Sequence, residues 1–203
     1  MSWLPIELKD VTKNYLQTSF NLEIRPSDCL LVTGSNGSGK TTLLRLILGF
    51  TKPDHGIITI CKKLKIGYLP EKAELPLFTT ALDYLLMIAK IKKVELDIKM
   101  LNELNIPLFK KINHLSKGNH QRVAIAATLI GKSDLIILDE PLSGLDRKTT
   151  NALIRIIKKM MENNQSFIIS SHSPNAFKKL ATNFLELWSI IFLITFFIKE
   201  LEY

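Results

Sequence analysis

An α/β protein with a mostly parallel sheet, an N-terminal antiparallel β subdomain and an inserted helical subdomain is predicted from three features of the chain. Residues Ile6–Leu8 and Phe20–Ile24 alternate apolar and polar side chains, as half-exposed antiparallel strands do. Cys29–Thr33, Leu135–Leu138 and Phe167–Ser170 are instead continuous apolar runs, the pattern of strands covered on both faces of a parallel sheet. Between Thr79 and Ile130 the apolar period becomes helical, with Ala81, Leu82, Leu85, Leu86 and Ala89 on one stripe. A second helix is predicted over Val94–Leu104, ahead of Pro107, and a third from the N-cap Ser116 to near Gly131. Another is expected over Arg147–Met161. The 203 residues suit one domain, with a helical subdomain at about 75–130 and an apolar tail at 184–203.

Composition narrows the function classes. Hydrophobic residues at 46% and charged residues at 23% exclude a disordered or fibrous chain. A net charge of +8 suits an anionic partner, whether nucleotide, nucleic acid or membrane surface, and equally a solvated basic face. The two cysteines, Cys29 and Cys61, are isolated, which argues against a disulfide framework or zinc site and fits a reducing compartment. The opening MSWLPIELKD carries acids and no apolar leader core, so a cytoplasmic chain is expected. The apolar stretch Phe184–Ile198, interrupted by Glu186, falls short of the roughly 20 residues that span a bilayer.

The chemistry is concentrated in two motifs. Gly34-Ser35-Asn36-Gly37-Ser38-Gly39-Lys40-Thr41 fits GxxxxGK[ST], directly after an apolar strand and before the apolar helix Leu43–Leu48. Glycines let successive N–H groups curl around phosphate oxygens, and the helix N-terminus adds partial positive charge. Lys40 is expected on the β- and γ-phosphates and the Thr41 hydroxyl on Mg²⁺, with Thr42 beside it. The chain is thus read as a P-loop NTPase core that binds a nucleoside triphosphate with Mg²⁺. Further on, Leu135-Ile136-Ile137-Leu138 ends in Asp139-Glu140, which places Asp139 at a strand tip toward Mg²⁺ and Glu140 as general base for water.

With these motifs the sequence resembles the nucleotide-binding domain of the ABC ATPases, over residues 4 to 182. Leu115-Ser116-Lys117-Gly118-Asn119, followed by Gln121-Arg122, is similar to the family signature LSGGQ. The resemblance implies that Ser116 and the Gly118 backbone close over the γ-phosphate held by a second subunit, two chains sandwiching two ATPs head to tail. Ser116 by itself reads equally as a helix cap. Ser143-Gly144-Leu145-Asp146 matches the D-loop, His172 the switch histidine on the γ-phosphate, and Tyr15 the aromatic residue that stacks on adenine, though Tyr15 also reads as packing. His55, His114 and His120 match nothing and are taken as surface residues.

The sequence departs from the family at three places. The loop that usually carries glutamine reads Leu69-Pro70-Glu71; Glu71 still accepts hydrogen bonds from metal-bound water but adds charge and loses a donor. The signature has Lys117 and Asn119 where Gly and Gln are usual. The terminal run Trp188–Ile198 lacks the family's glycine turn and reads either as a core element or as an apolar face for a membrane partner.

The resemblance implies an ATP-hydrolysing subunit that dimerises, as a homo- or heterodimer, and powers a separate integral-membrane permease from the inner face of the cell membrane. The compact helical block points to an exporter. The alternative is a non-transport ABC ATPase acting on nucleic acid or the ribosome, for which lysines at 62, 63, 65, 92, 93, 110 and 111 would be the footprint. The absence of interleaved aromatics and of room for a coiled-coil insertion argues against nucleic acid. A regulatory subunit that hydrolyses poorly is a third reading, kept open by Glu71 and Asn119.

Overall fold

The computed structural model describes residues 6–187 apart from 17 and 62. Two sheets organise it. Strands β1 (Ile6–Thr12), β2 (Phe20–Ile24) and β4 (His55–Thr59) form an antiparallel sheet in the order β2-β1-β4. Strands β3 (Cys29–Gly34), β5 (Ile66–Leu69), β6 (Leu135–Asp139), β7 (Ser166–Ser171) and β8 (Asn183–Leu187) form a parallel sheet in the order β5-β6-β7-β3-β8.

The unbroken apolar runs are explained by the two cores that the parallel sheet separates. Leu30, Val32, Leu135, Ile137 and Ile168 face one core, with Leu43, Leu44, Leu46 and Ile47 of helix α1 (Lys40–Ile47) and the antiparallel sheet. Cys29, Leu31, Ile136, Leu138, Phe167 and Ile169 face the other. That second core is closed by helices α2 (Ala81–Lys92), α3 (Ile98–Glu103), α4 (Lys117–Leu129) and α5 (Arg147–Glu162). Because side chains alternate along a strand, each run must be apolar at both parities. Leu31 and Val32, neighbours in sequence, are each fully buried against opposite layers.

The helical expectations hold with one correction. Ser116 caps α4, its Oγ accepting from the Asn119 N–H at 3.3 Å. The helix expected over Val94–Leu104 is confined to Ile98–Glu103. Lys93 takes a left-handed conformation (φ 55°) that ends α2, and the Asp97 carboxylate caps α3 by accepting from the Met100 N–H. Val94 and Leu96 pack on the core from the connecting loop instead. Two further corrections are small. Strand β4 was not predicted, and His120 is half-buried rather than a surface residue, with burial pushing its imidazole pKa down. Of the apolar tail, Phe184–Leu187 lie in β8, beside β3; residues 188–203 are outside the described residues.

Candidate nucleotide site

All five parallel strands point the same way, so the ends of β3, β6 and β7 converge at one edge, where open α/β sheets bind ligands. The loop 34–39 leaves β3 there and enters α1. Gly34 (φ 147°) is required by a close approach: a Cβ would lie 2.3 Å from the Leu187 carbonyl oxygen at the end of β8 and 2.5 Å from Ser38 Oγ. Gly39 (φ 100°) opens α1, whose first turn has no side-chain cap and no acidic residue. Its N–H groups and dipole are therefore left to an anion. Ser38 Oγ is buried and has no hydrogen-bond partner among the described residues.

A cavity of about 530 Å³ opens above this loop. Of the residues singled out from sequence, Tyr15, Asn36, Gly37, Gly39, Lys40, Thr41, Thr42, Glu71, Asp139, Glu140, Ser143 and His172 line it, joined by Leu16. Gly34 and Ser35 contribute from below: their carbonyl oxygens accept from Lys40 Nζ at 2.8 and 3.1 Å. Tyr15 stands 62% exposed at the rim with Lys13 Nζ 5.7 Å from its ring centroid, so it is not core packing. Ser116 and Gly118 are not on this wall, and Gly118 instead packs on the Gly144 carbonyl.

The polar groups are tightly interlocked. The Thr41 hydroxyl donates to Asp139 Oδ2 at 3.0 Å, and Ser170 Oγ donates to Asp139 Oδ1. Glu140 Oε2 lies 2.7 Å from His172 Nδ1, and Lys40 Nζ is 3.7 Å from Glu140 Oε1, which makes no hydrogen bond. Lys40 is almost wholly enclosed, and its ammonium is compensated there by the two loop carbonyls and the Glu140 carboxylate. Thr41 and Asp139 together offer hydroxyl and carboxylate oxygens, the hard donor set that Mg²⁺ takes. Among the described residues there is no cluster of three His, Cys, Asp or Glu side chains for a softer metal.

Behind the cavity, α4 is stitched to the segment after Glu140. Gln121 Nε2, buried, donates to the Pro141 carbonyl at 3.2 Å, and Arg122 pairs with Asp146. Sequence reasoning missed Leu16, Gln121 as a link, and Ser170. Leu16 had a signal in its position beside Tyr15; Ser170 had none beyond ending an apolar run.

The model of the ABC transporter family matches residues 18–143. The chain is 35% identical over 176 residues to the zinc import ATP-binding protein ZnuC of Rickettsia bellii, covering 77% of this chain and 72% of that protein. It is 34% identical over 207 residues to the ergothioneine transport ATP-binding protein EgtV of Helicobacter pylori, covering 90% and 96%. Its fold is similar to the dimeric structure of a bacterial ABC transporter cassette, with a TM-score of 0.77, 26% identity, and coverage of 90% and 94%.

Proposed function

The chain belongs to the ABC transporter family, as an ATP-hydrolysing subunit that works with a membrane permease, and on that premise we propose how its own residues bind and cleave ATP. The observation that carries the reading is the convergence of Lys40, Thr41, Asp139, Glu140 and His172 on one cavity. The triphosphate lies along the loop 34–39, taking the free N–H groups at the start of α1, with Ser38 Oγ as a further partner. Lys40 exchanges its contacts with the Gly34 and Ser35 carbonyls for phosphate oxygens. Tyr15 and Leu16 form the wall for the base. Thr41 and Asp139 would hold Mg²⁺, with Glu71 lining the same cavity, and the ion would supply charge neutralisation at the transferred phosphoryl group.

Glu140 is the general base. Its carboxylate lies within 4 Å of both the Lys40 ammonium and the His172 imidazole, which orient it to accept a proton from water. His172 fixes that carboxylate through Nδ1 and offers its other edge to the cavity. Ser116 and Gly118 lie off this wall, which suits a role toward ATP on a second subunit. The contacts of Gln121 with Pro141 and of Gly118 with Gly144 tie that signature to the strand end bearing Glu140.

No helix among the described residues is long and apolar enough to cross a membrane. The naming of the relatives as ATP-binding proteins of transporters supports a permease partner, with this subunit on its cytoplasmic face. Zinc import by one relative supports uptake, and neither that nor the ergothioneine transport of the other supports the export expected from the short helical block. Affinity capture of the tagged chain in mild detergent tests the reading: a stoichiometric polytopic membrane protein is expected. Recovery only with nucleic acid or ribosomes, released by salt, would replace it with the non-transport alternative.

A further inference from the structure

Ser170 is fully buried in β7 and belongs to none of the motifs, yet its hydroxyl touches both acidic residues of the site. Strands β6 and β7 run in register with Asp139 opposite Ser170. Across that pair Ser170 Oγ donates to Asp139 Oδ1, and it accepts from the Glu140 N–H at 3.0 Å. The same N–H lies 3.2 Å from the Ser170 carbonyl oxygen. One residue therefore saturates the amide of Glu140 and one oxygen of Asp139 at once.

The backbone of Glu140 shows why this matters. Its φ is 48°, the left-handed region that a residue with a Cβ enters only when its surroundings hold it there. That conformation turns the chain sharply at the strand end and sets the carboxylate beside His172 Nδ1 and Lys40 Nζ. The other oxygen of Asp139 is taken by Thr41. A hydroxyl at 170 is thus the common support of the strained base and of the carboxylate one residue before it. Leu138 and Ile169, the preceding pair in the register, are apolar and provide no such link.

We propose that Ser170 is a positioning residue for hydrolysis, holding Glu140 in its left-handed conformation and aiming Asp139; the inference rests on the assignment of Glu140 as general base. It is fully buried, does not line the cavity, and acts through those two residues. Misplacement of a reacting group by about 1 Å can cost on the order of 10²-fold in rate. Loss of the hydroxyl should therefore lower kcat and spare nucleotide binding.

The test compares S170T with S170V, which add the same bulk and differ only in the hydroxyl, in the full chain with its permease. S170T is expected to keep kcat within about threefold of the parent, and S170V to lose about ten- to a hundredfold, with KM for ATP moved less than about twofold in both. A second readout needs no turnover: the gain in fluorescent ATP-analogue affinity on adding Mg²⁺ should shrink in S170V and persist in S170T. Matched melting temperatures would show that both variants fold. Equal loss in the two variants, or parental kcat and parental Mg²⁺ response in S170V, would overturn the proposal. E140Q assayed alongside separates the two ideas: if it turns over like the parent, the assignment of Glu140 itself has failed.

Discussion

The carboxylate of Glu140 meets the imidazole of His172 at 2.7 Å, across the ends of two neighbouring parallel strands, β6 and β7. Lys40 stands on the opposite oxygen at 3.7 Å. The proposed base is thus oriented from both sides within the chain itself. Removing the carboxylate charge should leave binding intact and stop the chemistry. In E140Q, hydrolysis should fall by about 10²- to 10⁴-fold, the range of general-base catalysis. Light scattering with saturating ATP and Mg²⁺ should then show a persistent dimer; a species that stays monomeric would refute the sandwich arrangement.

Lys40 makes its contacts with loop carbonyls and a carboxylate while nearly excluded from water. Its replacement in K40A removes a charged hydrogen bond to phosphate worth about 1.5–3 kcal/mol, or roughly 10- to 100-fold in affinity. Equilibrium titration with a fluorescent ATP analogue measures this directly. Unchanged affinity would refute the assignment of the loop.

Gly118 has no room for a side chain, since a Cβ would stand 2.4 Å from the Gly144 carbonyl oxygen. G118A must push the start of α4 away from the D-loop, an overpacking strain of about 1–3 kcal/mol. A lower melting temperature and weaker ATP-driven dimerisation are expected, with ATP affinity of the monomer kept. A variant as stable and as ready to dimerise as the parent would contradict that contact.

The two thiols should differ sharply in reactivity. Burial in the parallel sheet pushes the Cys29 thiol up to about 12, so almost no thiolate exists at neutral pH, whereas Cys61 is only half-buried. Thiol labelling of the native chain at pH 8 should modify Cys61 and not Cys29; denaturant should release both. Rapid native labelling of Cys29 would show that β3 opens.

Asp146 caps α5 by accepting from the Thr149 N–H at 2.8 Å. That backbone hydrogen bond, helped by Arg122, holds its carboxyl below the ordinary 3.8. A carboxyl depressed in the folded state stabilises the fold above its unfolded pKa and loses that contribution as pH falls through the folded one. Its effect is therefore full at neutral pH and declines as pH falls below about 4. D146N, measured by denaturant midpoint, should be less stable than the parent at pH 7, and the difference should shrink as pH is lowered below about 4.

Much of the site could be read from contiguous residues. Loop 34–41 and the run 135–140 each bring chemistry and secondary structure in one short stretch, so a strand, a tight turn and a helix start are enough to fix what the backbone N–H groups and Lys40 can do. Strand β4 escaped because His55–Thr59 is almost wholly exposed, Ile57 at 66%, and so lacks the apolar alternation that marks a half-buried strand. The helix over Val94–Leu104 was too long in prediction because Val94 and Leu96 are buried by the fold from a loop, which periodicity does not distinguish from a helical stripe.

Ser170 belongs to a different order of information. In the sequence it is a small residue ending an apolar run, 31 positions from Asp139. Only the parallel register of β6 on β7 brings its hydroxyl between Asp139 and the amide of Glu140, whose backbone is left-handed. The same holds for Gly118 against Gly144 and for Gln121 against Pro141. Local sequence determined the phosphate loop, the acidic strand end and the family, because each depends on neighbours along the chain. Which residues support those groups depends on strand register and helix packing, contacts made across long sequence separations, and these exist only once both cores have formed around the sheet.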